Sequence, residues 1–89
     1  MSRDGEDLFH FPCEFPVKVM GRDTREFRSL TLAIVERHAG PLDADRITER
    51  RSGKGNFLAL TYTIEARDRA QLDAIYEELT ASGVVLVAL

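Results

Sequence analysis

Eighty-nine residues, 44% hydrophobic and 30% charged, are the ordinary composition of one soluble globular domain, able to bury roughly 60–65% of the surface its unfolded chain exposes. A formal net charge of −3, from 12 basic and 15 acidic residues, argues against a nucleic-acid module, whose grip on phosphates needs a basic excess. No apolar run reaches bilayer length, the first residues lack the basic flank and apolar core of a signal peptide, and Cys13 is the one cysteine; these features lead to the expectation of a cytoplasmic protein without a disulfide or a membrane span.

Residues 1–10 carry Arg3, Asp4, Glu6 and Asp7 around Gly5 with no periodicity, and the expectation is a flexible tail ahead of a single domain over residues 11–89. Pro12 and Pro16 then force an extended path, with Pro16 tolerable in a strand only near its start. Phe15, Val17 and Val19 alternate with Pro16, Lys18 and Met20 as a first strand that Gly21 should end. Asp23 with Glu26 has capping-box spacing and predicts a helix start just after Asp23. Phe27, Leu30, Ile34 and His38 make its apolar stripe, flanked by Thr31 and Val35, and Gly40 with Pro41 terminates it. Residues 43–52 are polar apart from Ile47 and read as a charged edge strand.

Ser52-Gly53-Lys54-Gly55 is turn chemistry that joins this strand, as a hairpin, to the one long stretch of clean alternation in the chain, residues 56–66. There Leu58, Leu60, Tyr62, Ile64 and Ala66 form an apolar face, while Phe57, Ala59, Thr61, Thr63 and Glu65 form a mostly small or polar one. A sheet covered on one side only follows. Asp68 with Gln71 caps a second helix, whose Leu72, Ile75, Tyr76 and Leu79 share a face and which Gly83 stops. The apolar residues 84–89 close the chain as a strand. The order βαββαβ predicts an α+β ferredoxin-like sandwich: a four-stranded antiparallel sheet with two helices on one face, the first and third strands central. An apolar fourth strand at an edge then calls for a pairing partner, a dimer contact or cover from the N-terminal arm.

Candidate sites are few. Gly53-Lys54-Gly55 lacks the longer spacing, the terminal Lys-Ser/Thr and the following helix of a phosphate loop and reads as a hairpin turn. Arg50, Arg51 and Lys54, with Arg46, form a basic patch that could meet a partner. The run from Lys54 to Tyr62 has the flavour of an RNA-recognition strand, but its open face offers Ala59 and Thr61 where stacking aromatics are needed. His10, Cys13 and Glu14 fall short of a structural zinc set, so no metal or other cofactor is expected. His38, near a helix end, reads as a packing or capping residue, and Glu77 and Glu78 as surface charges. No acid–base pair stands out, and an enzyme is not expected. The strand-to-helix loop remains, with Lys18, Met20, Gly21 and Arg22 as ligand-binding candidates; Asp23 and Glu26 there suit an amino group better than an anion.

Phe11-Pro12-Cys13-Glu14-Phe15-Pro16-Val17-Lys18-Val19-Met20-Gly21, then Arg37-His38, Ser52-Gly53-Lys54-Gly55-Asn56 and Tyr76-Glu77-Glu78-Leu79, resemble the small bacterial YbeD-like family. The resemblance covers about residues 11–89 and implies a ferredoxin-like sandwich similar to the regulatory ACT domains, which bind amino acids and control metabolic enzymes. It carries over no catalytic residues, and Met20-Gly21-Arg22-Asp23 stands where ACT domains have an Asp-Arg-Pro-Gly type of loop. The leading expectation is a non-enzymatic regulatory or protein-interaction module, working as a homodimer or on a metabolic protein partner. The alternative is an ACT-like sensor of an amino-acid effector.

Overall fold

The structure, a computed structural model, describes residues 10–89, and the tail expected over residues 1–10 lies, His10 apart, outside the described residues. Strand β1 (Cys13–Arg22) leads into helix α1 (Arg25–Ala39), then strands β2 (Ile47–Ser52) and β3 (Phe57–Ala66), helix α2 (Arg69–Ala81) and strand β4 (Val87–Ala88). The sheet runs β2-β3-β1-β4 with every pair antiparallel, the order that right-handed crossovers in βαββαβ require. The chain is thus a ferredoxin-like α+β sandwich.

The long β1–β3 ladder sets its two faces. It pairs Cys13 with Ala66 through to Arg22 with Phe57, so odd residues of β1 share a face with even residues of β3. On that face Val17, Val19, Leu58, Leu60, Tyr62 and Ile64 are buried against Phe27, Ile34 and Val35 of α1 and Leu72, Ile75 and Leu79 of α2. Each such side chain contributes about 1.5–3 kcal/mol of transfer free energy. Thr31 is buried among them, its hydroxyl 2.7 Å from the Phe27 carbonyl and 2.6 Å from the Tyr62 hydroxyl. Since a hydroxyl has one proton, Thr31 donates to the carbonyl and accepts from Tyr62. Tyr62, buried and hydrogen-bonded toward the helices, is therefore a core residue and not part of the open face.

Four boundaries differ from the sequence expectation. Helix α1 is capped by Thr24, whose side chain accepts from the Phe27 N–H at 3.0 Å, and not by Asp23. Asp23 instead faces Arg28 and Arg51, each at 3.4 Å. Strand β1 runs on through Gly21 to Arg22, because its partner β3 extends to Phe57 and supplies a neighbour for every residue. The polar segment before β2 begins as a single 3-10 turn, Ala44–Arg46, so the edge strand starts at Ile47. The C-terminal run pairs over two residues, with flanking bonds from Leu86 N–H to the Met20 carbonyl (2.8 Å) and both ways between Lys18 and Leu89. Gly83, at φ 85°, turns the chain out of α2, and Val84 packs over Gly21 before the backbone can align with β1.

Two details show how sequence grammar survives these shifts. Pro16, fourth in β1, turns the same backbone side as Lys18 toward β4, and β4 has already ended there, so its missing N–H costs no ladder bond. In the β2–β3 hairpin, Gly53, Lys54 and Gly55 all have positive φ (62°, 58° and 87°), which two glycines make accessible. Helix α2 is capped as its sequence predicts: Asp68 accepts from the Gln71 N–H at 2.9 Å, while Gln71 Oε1 accepts from the Arg67 N–H at 2.6 Å.

Candidate functional site

The strand-to-helix loop is filled on its inner side. Gly21 faces the helices, and a Cβ built there would stand 2.5 Å from both Phe27 Cε1 and the Val84 carbonyl oxygen. Arg22, one residue on, points to the other face and lays its guanidinium over the Phe57 ring, 5.5 Å from the centroid. Asp23 is held between Arg28 and Arg51. Arg28 also reaches Glu49 at 2.7 Å, and that hydrogen bond is the main cause that keeps the guanidinium protonated beyond the ordinary arginine value.

The uncovered face of the sheet brings together residues from four strands. Register places Lys18 beside Thr61, Met20 beside Ala59, and Arg50 on the far side of Ala59. Val87 and Leu89 stand across from Met20 and Lys18 on the other flank. The small side chains of Ala59 and Thr61 form the floor, the longer ones form the walls, and the result is a shallow groove of about 360 Å³. Its walls combine exposed apolar groups, with Met20 37%, Val87 46% and Leu89 72% exposed, and two cations. Neither Lys18 nor Arg50 has an ion pair among the described residues.

Two ligand candidates of the loop, Lys18 and Met20, therefore meet Arg50 of the basic patch in one groove, whereas Gly21 lies behind the sheet and Arg22 beyond the groove's end. Arg51 belongs to the helix-side face through Asp23, Arg46 bonds Glu14 at 2.7 Å, and Lys54 sits at the hairpin tip. Ala59 and Thr61 were expected on the open face and residues 84–89 as an apolar edge strand, but Thr48 was not singled out, and it is the strand register that gathers Thr48, Ala59, Thr61, Val87 and Leu89 into one groove.

Away from the groove, Glu78 of α2 accepts from Arg37 at 3.2 Å and contacts His38 Nε2 at 3.0 Å, while the His38 carbonyl accepts from Arg67 and from Gln71 Nε2. His38 thus ties the helices together, and Glu78 is a tether where a solvated charge was expected. Burial raises the phenol pKa of Tyr62 and of Tyr76, in Tyr62 partly offset by the Thr31 hydrogen bond. Tyr76 donates to the Leu89 carbonyl. His10, Cys13 and Glu14 do not converge: no trio of metal-ligating side chains stands together among the described residues. No helix among them is long and apolar enough to cross a membrane.

A family model described as "Protein of unknown function (DUF493)" matches residues 6–89. A UPF0250 protein of Paraburkholderia phytofirmans is 43% identical over 89 residues, 100% of both chains. UPF0250 proteins of Chromobacterium violaceum (42% over 89 residues, 100% of both chains) and Nitrosomonas europaea (38% over 84 residues, 94% of this chain and 97% of the other) are similar over the same span. Among solved structures, the solution structure of protein HP0495 from H. pylori matches with a TM-score of 0.68 at 15% identity, covering 91% of this chain and 85% of that one, and shows the same fold.

Proposed function

The chain belongs to the DUF493 (UPF0250) family of small bacterial proteins, the YbeD-like family its motifs resemble, and we propose that it acts by binding and not by catalysis, as a cytoplasmic protein-interaction module whose working surface is the open face of the sheet. The observation that carries this reading is the groove over Ala59 and Thr61, where exposed apolar side chains stand beside the cations Lys18 and Arg50, which have no ion pair among the described residues. Apolar groups give a partner surface to bury, and fixed charges set its orientation; a solvated sheet face with no partner needs neither. Regulation of a metabolic protein is the role that the likeness to ACT domains suggests for such a module.

A photo-crosslinking side chain placed in turn at Thr48 or Thr61 in the groove, and at Glu77 on the helical side, tests this in living cells. Discrete crosslinked products from the groove positions alone are expected. Equal labelling from both sides, or none from Thr48 and Thr61, refutes the open face as a working surface.

The groove also supports a second reading, an amino-acid or small carboxylate effector, since Lys18 and Arg50 could receive a carboxylate beside the apolar wall. Titrating such compounds into labelled protein would then shift the amides of Lys18, Met20, Ala59 and Thr61 saturably. An unchanged spectrum removes this reading and leaves the first in place.

A further inference from the structure

The open face is charged in opposite senses at its two ends. At one end Glu14 and Glu65 stand directly opposite each other in the β1–β3 register, on the face away from the helices. Like charges across a strand pair are destabilising. Arg46 answers Glu14 at 2.7 Å, but Glu65 has no ion pair among the described residues. Four residues along the same strand, about 13 Å away at ~3.3 Å per residue, Lys18 stands with Arg50 on the same face, neither with an ion pair among the described residues. On these two strands the residues between the two ends are Pro16 and Thr63, both uncharged, with Arg46 beside them reaching Glu14.

A face with this dipole is its own complement. We propose that the occupant of the open face is a second copy of the chain, packed sheet on sheet about a twofold axis that lies between the two faces and runs across the strands near Pro16 and Thr63. That rotation reverses the strand direction and so sets Lys18 over Glu14 and Glu65 of the second copy, and Glu14 and Glu65 over its Lys18, with Arg50 flanking. The interface is isologous and closes as a dimer. Leu89 and Met20 flank Lys18, so the ion pairs form next to apolar groups that lose water on contact. With the axis at Pro16 and Thr63, the strands overlap over residues 13–19 of β1 and 60–66 of β3, about 23 Å of strand and about 300 Å² per copy, which is below the usual size of a stable interface, and the dimer is accordingly weak and salt-sensitive. This inference rests on the open face being the working surface and names its partner.

Sedimentation equilibrium of the full chain at low ionic strength tests it with two charge-reversed variants. Lys18→Glu with Arg50→Glu makes both ends acidic; Glu14→Lys with Glu65→Lys makes both ends basic. All four positions are at the surface, and circular dichroism verifies that each variant folds. The wild type is expected to dimerise with a Kd on the order of 100 µM, weakening as salt rises. Each variant alone should be monomeric, and an equimolar mixture of the two should restore the dimer as a heterodimer. A wild type that stays monomeric to about 1 mM, or a dimer indifferent to both reversals, overturns the inference. Crosslinking from Thr61 to a different protein would then keep the interaction surface and assign it another occupant.

Discussion

Replacing Gly21 with alanine isolates one steric contact on which the join of β1, α1 and the C-terminal segment depends. The backbone at Gly21 is not in the left-handed region, so an added methyl brings no conformational strain of its own. It does bring a Cβ to 2.5 Å from Phe27 Cε1, 2.7 Å from Phe27 Cδ1 and 2.5 Å from the Val84 carbonyl oxygen. Carbon contacts are optimal near 3.5–4.0 Å, so the overlap is about 1 Å on two sides. Phe27 is fully packed and cannot swing away, and the Val84 oxygen is backbone, whose retreat would pull on the turn at Gly83. Overpacking of a tight core costs about 1–3 kcal/mol, and two immovable neighbours put Gly21→Ala at the upper end, about 2–3 kcal/mol. For a domain this small that lowers Tm by roughly 10–20 °C. Urea unfolding followed by circular dichroism measures it, and Phe27→Leu, which removes the clashing ring, should give a favourable coupling of about 1 kcal/mol in a double-mutant cycle. A loss below about 0.5 kcal/mol, the range of surface substitutions, would refute the close approach.

Thr31→Val strands the Tyr62 hydroxyl in the core and should cost about 1–3 kcal/mol; adding Tyr62→Phe should recover part of that loss in the same unfolding assay, since no buried hydroxyl is then left unpaired. Helix capping separates two neighbours: Thr24→Ala should cost about 1 kcal/mol, whereas Asp23→Ala, which removes two charge contacts near the surface, should cost less than Thr24→Ala and lose its effect in high salt. Alkaline pH should destabilise the fold through its tyrosines. Burial raises the folded-state pKa of Tyr62 and Tyr76 above the unfolded value of about 10, so the folded state keeps protons that the unfolded state releases. The associated stability is complete below pH ~10 and is lost as pH climbs through the folded pKa values. Phenolate absorbance during an alkaline titration, with Tyr62→Phe reducing the dependence, checks the sign.

The sequence by itself determined the order of elements and the two faces of the sheet. Alternation over residues 56–66, the helical stripe of Phe27, Ile34 and Val35 and the Asp68–Gln71 cap are signals written within a few neighbouring residues, and local backbone geometry converts them directly into strand, helix and cap. Where two neighbours could serve equally, as Asp23 and Thr24 could, tertiary pull decided: Arg28 and Arg51 draw Asp23 aside, and Thr24 is left to bond the Phe27 N–H. The apolar residues 84–89 read as one strand, yet the crowding of Val84 on Gly21 shortens it to Val87–Ala88. The groove and the charge dipole were legible only as scattered single residues. Lys18, Arg50, Ala59 and Leu89 become neighbours through register between strands far apart in the chain, and Glu14 meets Glu65 only because β1 and β3 pair in that one alignment. Periodicity says which way a side chain points; pairing of distant segments says what stands beside it, and that is why the surface belongs to the tertiary structure alone.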